Sequence, residues 1–459
     1  MRHSKHLGLS EPKPRFFSTA AVFLFALICF FPNPGLPVGT NTGLQAAQIV
    51  ALLSVPVVLI LGLPKRQTLS VLLLILPVLL SGFLVVVTDR AVSNEVAFNS
   101  IAAMVLVLVV LLPAGKIVRG RYTVPLLCGV AWAIVLNAVV GLYQAYRFAQ
   151  DEAPLVGLYQ NPSFTNFIDN DPELYALYVK RPFGLFPEPS AMAASIGPWL
   201  ILIAGLLLYP KLRQGMTRGT LAQLLLAAVC GVGLILMSRS GFAIWLLAGL
   251  VLVMLPYLKD RVLRLYRPGS LIVLMTLVLV GATIVALYFT LLGSRLDIQE
   301  NSSWSARLAS LVWALTYLGT GLSNMLYGVG PGQSNLILLS SGPFNLPGAS
   351  SGGLAVTAVW SLVVTYILET GLLGALALAL VLIMILLAIV RSSARLVGFS
   401  CLAVWLAGVV FTTSYLSLLP IWLFLAVLLG WNRLFQLRAT VIGPGLRPGL
   451  SSVRKVVKT

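Results

Sequence analysis

Long unbroken apolar runs, separated by short polar segments, dominate this chain; VLLLILPVLLSGFLVVV at 71–87 and GPWLILIAGLLLY at 197–209 are examples. The apolar positions are continuous rather than alternating, and many runs approach the ~20 residues that a helix needs to cross a bilayer. Lipid offers the backbone no hydrogen-bond partners, so continuous runs of this length predict helices. The pattern predicts twelve spans, at 16–33, 44–63, 68–87, 96–114, 122–146, 189–209, 220–237, 241–257, 269–292, 370–390, 396–413 and 418–435. The expected fold class is therefore an all-α integral membrane protein. The first run follows a basic flank, as in a signal peptide. It ends in FFPNPGLP with no small-x-small cleavage site, so it reads as a retained span.

The intervening segments divide the chain into spans one to five (1–146), a first large loop (147–188), spans six to nine (189–292), a second large segment (293–369), spans ten to twelve (370–435) and a basic tail (436–459) that reads as disordered. In SSWSARLASLVWALTYLGTGL (302–322), Leu308, Leu311, Val312, Leu315, Leu318 and Leu322 fall on one helical face. This predicts a helix lying on the membrane or packed on the bundle. Residues 354–368 are too many to join 370–390 in one crossing, and are expected to form an outer or half-buried helix. Residues 220–257, interrupted only by SRSG, have basic flanks on both sides. They read as two crossings joined by a tight turn at Arg239.

Charge sets the orientation. With both termini in the cytoplasm, 24 of the 31 Lys and Arg residues fall on the inner side. The remaining seven are Arg90, Arg147, Lys180, Arg181, Arg239, Arg295 and Arg307. Of the thirteen acidic residues, only Glu11 and Asp260 fall inside. This is the positive-inside asymmetry of a multi-pass membrane protein, with its two large segments on the outer side.

Composition agrees: 59% hydrophobic, 10% charged and a mean hydropathy of +0.97 exclude an ordinary soluble domain. A formal charge of +18 would suit nucleic acid, but its confinement to short loops excludes that reading. Cys29, Cys128, Cys230 and Cys401 all lie inside apolar runs and read as small packing residues, not disulfides or metal ligands. The only histidines, His3 and His6, are in the N-terminal tail.

Candidate chemistry collects at the predicted outer mouths of the spans. In RPFGLFPEPS (181–190), Pro189 suits the first turn of span six and Glu188 its N-cap. The helix N-terminus and Arg181 make this mouth a seat for an anion. Arg239 at its tight turn, Arg307 at the start of the amphipathic helix and Glu369 at the mouth of span ten complete the set. Guanidinium forks match phosphate oxygens, so arginines recurring at span mouths fit a diphosphate. Simpler readings stand beside these: an arginine snorkelling to headgroups, Glu188 as a cap or partner of Arg181, Glu369 as a structural partner of Arg239 or Arg307. DNDPE (169–173) offers Asp169 and Asp171 at a spacing that can hold a diphosphate-bound metal; the expectation is nevertheless a metal-independent protein with no cofactor. The aromatics between Tyr159 and Phe186 suit sugar stacking or an interfacial belt.

Four segments carry a family resemblance: RPFGLFPEPSAMA (181–193), LMSRSGFAIWLLAGL (236–250), SARLASLVWALTYL with YGVGPGQSN (305–335), and YILETGLLGALAL (366–378). In this order they resemble the O-antigen ligase and polymerase superfamily, and F-x-E-P-S is most similar to its exopolysaccharide polymerases. YGVGPGQS and ETGLLG are also similar, more weakly, to peptidoglycan polymerases of the SEDS group. Where the superfamily's ligases carry a histidine upstream of the Glu of E-x-G-x-x-G, this chain has Trp360 followed by Ser361. That departure favours polymerase over ligase.

The resemblance implies an inverting, GT-C-like glycosyltransferase that joins undecaprenyl-diphosphate-linked oligosaccharides. Flippase and chain-length regulator proteins would be its partners, and its setting the bilayer of the bacterial inner membrane, with the two large segments in the periplasm. Arg181, Arg239 and Arg307 would hold the donor diphosphate, Glu188 would take the proton of the attacking hydroxyl, and Glu369 would support them. The alternatives are a ligase that transfers glycan to a lipid or protein, and a transporter of polysaccharide or lipid-linked sugar.

Overall fold

The computed structural model describes residues 16–33, 35–39, 42–60, 63–118, 122–152, 154–155, 180–210, 212–213, 216–238, 242–264, 302–341, 359–413 and 415–436. The chain is an α-helical membrane protein. Its described elements begin with α1 (Phe16–Ile28), a short antiparallel hairpin of β1 (Leu36–Gly39) and β2 (Thr42–Leu44), α2 (Ala46–Ile60), α3 (Lys65–Val87), α4 (Asn94–Val109), α5 (Leu111–Ile117) and α6 (Thr123–Phe148). They continue with α7 (Pro189–Leu208), α8 (Arg218–Met237), α9 (Ala243–Arg264), α10 (Ser302–Leu318), α11 (Leu322–Tyr327) and α12 (Gln333–Ser341). The last are α13 (Leu362–Val390), α14 (Arg395–Phe411), α15 (Leu419–Leu429) and α16 (Trp431–Gln436).

Among the described residues, six helices are long and apolar enough to cross a membrane: α3, α4 joined with α5, α6, α7, α8 and α13. Shorter apolar helices occupy Thr19–Ile28, Ala46–Ile60, Trp245–Met254, Arg395–Phe411 and Leu419–Leu429. Eleven of the twelve predicted spans thus coincide with apolar helices, five of them shorter than a full crossing by this measure. The span at 269–292 lies outside the described residues.

The expected helix after 354 and the span from 370 are divided at Gly371, where α13 breaks into two helical pieces; residues 354–358 lie outside the described residues. The predicted span at 418–435 is two helices divided at Gly430.

The bundle is built around α7, whose residues from Ala191 to Ile203 are all buried. Without a hydrophobic drive between helices in lipid, close packing depends on small residues. A Cβ at Gly205 would lie 2.5 Å from Val397 of α14, one at Gly231 of α8 2.7 Å from Leu200, and one at Gly249 of α9 2.5 Å from Val404. Large side chains on the neighbouring helices fill these notches. The opposite faces carry Leu72, Leu76 and Phe83 on α3 and Leu376, Leu380 and Ile383 on α13, all exposed as lipid-facing side chains should be.

Contacts define two ends. At the first, the start of α7 meets the end of α14 (Ala194 against Gly408) and the start of α9 (Gly197 against Phe242), and the segment after α14 meets the start of α13 through Leu362 N–H to Thr413 O at 2.8 Å. Trp245 stacks on Phe411 there, with centroids 5.7 Å apart. At the second end, Arg66 of α3 donates to Asn432 Oδ1 at 3.1 Å, and Gly398 of α14 packs against Trp431 and Ile389.

Candidate functional site

The segment before α7 enters the first end as irregular backbone. Buried backbone groups outside regular structure need partners, and two side chains of α6 supply them. Gln144 Oε1 accepts from Phe183 N–H and Gly184 N–H, both at 2.9 Å, while its Nε2 donates to Gly184 O at 2.8 Å. Asn137 Oδ1 accepts from Leu185 N–H at 2.9 Å, and its Nδ2 donates to Ala133 O at 2.9 Å. Asn33 Nδ2 adds a bond to Leu185 O at 3.3 Å. Gly184 has φ +61°, and a Cβ there would lie 2.5 Å from Asn137 Oδ1. Phe183 packs on Phe148, and Phe186 is fully buried.

This loop delivers Glu188 to the N-cap of α7, with Pro189 in the first turn as predicted. Glu188 is 5% exposed. Its side chain makes no capping bond to the helix; Ser190 Oγ donates to Glu188 Oε1 instead. The carboxylate is therefore fixed by a hydroxyl beside a helix N-terminus, a setting that also favours negative charge. Arg181 is half-buried where the same loop begins. Lys180 and Arg147, two other basic residues predicted on the outer side, pair with Asp151 and Glu152. The hydrogen bond from Lys180 holds the Asp151 carboxyl below its ordinary range.

A second constellation was not foreseen as one. Gly371 has φ +65° and ψ −153°, which breaks α13 and frees carbonyls that a continuous helix would pair. Leu368 O accepts from Val329 N–H at 3.0 Å. Glu369 O accepts from Gly330 N–H at 3.1 Å and from Ser81 Oγ at 2.6 Å. The donors belong to YGVGPGQS, where Gly328, Gly330 and Gly332 all have positive φ. Gly328 and Gly371 abut: a Cβ on Gly328 would stand 2.4 Å from Glu369 C, and one on Gly371 2.6 Å from Gly328 N. Only glycine fits either position.

Ser334 Oγ donates to Glu369 Oε1 at 2.6 Å, and the amides of Gly332 and Ser334 face the same carboxylate at the start of α12. Gln333 in turn grips the N-cap of α4, accepting from Ser93 N–H at 3.1 Å and donating to Ser93 O at 2.9 Å. Among the described residues, Glu369 pairs with Ser334; Arg239 and the side chain of Arg307, the partners considered from the sequence, lie outside them. The helix terminus supplies the positive partner for it.

The structure brings Glu188 and Arg181 onto one loop and sets Glu369 in a separate, self-satisfied unit. Arg239, Asp169 and Asp171 lie outside the described residues, as does the side chain of Arg307, whose backbone belongs to α10. The residues flanking Arg239 are described: Ser238 and Phe242 are both buried, and Phe242 packs against Gly197 of α7 at the first end. Asn137 and Gln144 were not predicted as site residues. Their signal was two amides seven positions apart, on one face of an otherwise apolar span.

The predicted apolar face of α10 is divided. Leu311 and Leu318 pack with buried Ala314 against Val364 and Leu368 of α13, whereas Val312 and Leu315, with Leu322 of α11, are exposed. Ser310 and Ala314 are the buried side chains among the described residues of this helix, so the leucine stripe is split between the packed side and the exposed one. No protein-family model matches this chain, and no curated protein matches it.

Proposed function

We propose that this protein is an inverting membrane glycosyltransferase that polymerises undecaprenyl-diphosphate-linked oligosaccharide repeat units at the periplasmic face of the bacterial inner membrane. The observation that carries this reading is a buried carboxylate, Glu188, held by Ser190 at the head of the central helix. Its loop belongs to RPFGLFPEPSAMA, the first of the four segments that resemble the O-antigen ligase and polymerase superfamily. The residues around Arg239 and the start of α13 lie at the same end of the bundle. YGVGPGQS and ETG meet directly.

In the proposed reaction the acceptor sugar's hydroxyl oxygen attacks the anomeric carbon of the donor. The bond from that carbon to the diphosphate oxygen breaks, and undecaprenyl diphosphate leaves. Glu188 takes the hydroxyl proton, while Arg181, Arg239 and Arg307 face the negative charge that grows on the leaving group. No step requires a metal or an organic cofactor.

Glu188→Gln is expected to lower polymer yield at least 100-fold, in line with general-base contributions of about 10²–10⁴, without changing membrane insertion or folding. Purified protein given lipid-linked repeat units, with the products sized chromatographically, reads this directly. Undiminished extension by the variant removes Glu188 from the mechanism.

The broken helix α13 favours a second reading, transport, because transporters build solute sites on discontinuous helices. Here, however, the freed carbonyls of Leu368 and Glu369 are taken up by Val329, Gly330 and Ser81. Extension of lipid-linked repeats in detergent, where there is no second compartment, excludes pure transport.

A further inference from the structure

The second end of the bundle gathers arginines from separate parts of the chain. Arg66 opens α3, Arg391 caps the end of α13, Arg395 opens α14 and Arg433 lies in α16. Their helices converge there. Arg66 donates to Leu429 O at 3.3 Å and to Asn432 Oδ1 at 3.1 Å, next to Arg433. Gly398 packs against both Ile389 and Trp431, which draws Arg391 and Arg395 toward the same corner. Arg391 and Arg433 are both close enough to act electrostatically on Arg66. Both ion pairs among the described residues are at the opposite end, so among those residues this corner carries like charges and no ion pair.

Like charges held together repel, and the arrangement is relieved by an anion. The bonds of Arg66 to Leu429 and Asn432 share Nη1. The corner also lies at the tip of a lipid-facing track. Ile383, Leu387 and Val390 are exposed at helical spacing on α13 and lead directly to Arg391. Leu396 and Phe399 are exposed just beyond Arg395 on α14. A ligand that fits both features presents a phosphate at the membrane surface and acyl chains along the helices.

We propose that this corner is a binding site for an anionic phospholipid, with Arg66, Arg391, Arg395 and Arg433 around the headgroup phosphate and the α13 track beneath the acyl chains. A free anion would use the guanidinium groups but not the track, and a soluble acidic partner would have no use for exposed leucines below the interface. The site does not rest on the polymerase reading, since it lies at the other end of the bundle from Glu188.

The test is native mass spectrometry of the full-length protein titrated with phosphatidylglycerol against a phosphatidylcholine background. The wild type is expected to retain phosphatidylglycerol selectively. Arg66→Gln with Arg433→Gln should weaken that binding about thirtyfold, as expected for about 1 kcal/mol per basic residue near an anionic lipid. Arg213→Gln with Arg218→Gln, at the same end but outside the corner, should leave it unchanged. Equal losses in both double variants would mean a diffuse field and overturn the proposal, as would no loss in the first. Displacement of the lipid by equimolar inorganic phosphate would overturn it in favour of a free-anion site. Should the first double variant fail to fold, Arg391→Gln alone, at an exposed position, is expected to weaken binding about fivefold, and unchanged binding there overturns the proposal too.

Discussion

Two amides inside α6 decide where Glu188 stands. Gln144 imitates a strand partner for residues 183 and 184, and Asn137 does the same for residue 185. Gln144→Ala would strand two buried N–H groups, each costing about 1–3 kcal/mol. The expected outcome is a marked fall in thermal midpoint in detergent together with loss of polymer extension. Gln144→Glu, which keeps the acceptors for both amides, should lose less, and equal behaviour of the two variants would refute this account. Glu188 itself was readable from the sequence because an N-cap followed by proline is a local signal. Asn137 and Gln144 were not, because their loop partners lie 39 to 48 residues away and a polar residue in an apolar run does not announce what it binds. The carboxylate of Glu369 was found, but its partner Ser334 was not foreseen. The helix terminus that satisfies it arises only when YGVGPGQS folds back onto α13.

At the scale of elements, the break in α13 and the glycine-rich loop are one object. Each supplies what the other lacks, carbonyls on one side and amides on the other. Gly371→Ala is expected to cost more than the roughly 1–2 kcal/mol of a left-handed backbone, because the added methyl also meets Gly328 and Leu326. Gly328→Ala should be comparably harmful, and the double variant less than additive, since both disrupt the same contact. Thermal unfolding of the three variants checks this; full additivity would mean the two glycines act separately. The excess length of 354–390 showed that something interrupted this region, and the interruption falls near the residue expected. What the sequence withheld was what meets the two pieces at the break, the amides of Val329 and Gly330. A Thr-Gly pair within an apolar run has the same composition whether the helix continues or breaks. The α10 helix teaches a related lesson. Its leucines marked a helix lying on the membrane or packed on the bundle, and its stripe does both: Leu311 and Leu318 pack, whereas Val312 and Leu315 are exposed.

For the whole molecule, the segregation of charge and the geometry of the bundle agree. Arg66, Arg391, Arg395 and Arg433, all assigned inside by the sequence, share one end, while Arg147, Lys180 and Glu188 belong to the other. Apolar run length was enough to read the helical membrane class, because lipid leaves the backbone few alternatives. It did not resolve which helices are full crossings, since a run of given hydropathy serves equally as a span or as a buried core helix. In a cysteine-free background, a cysteine introduced at 239 is expected to react with a membrane-impermeant thiol reagent added to the periplasmic side. Reaction only from the cytosolic side would invert the topology and remove the proposed reaction centre. The paired glycines also bear on how the chain is made. A segment entering lipid with bare carbonyls at 368 and 369 would face several kcal/mol for each. A ribosome reaches Gly371 only after residues 328–330 have been synthesised, so their amides exist before the carbonyls need them. Insertion of α13 in isolation should therefore yield an uninterrupted rod, its bend being acquired during assembly with the rest of the bundle.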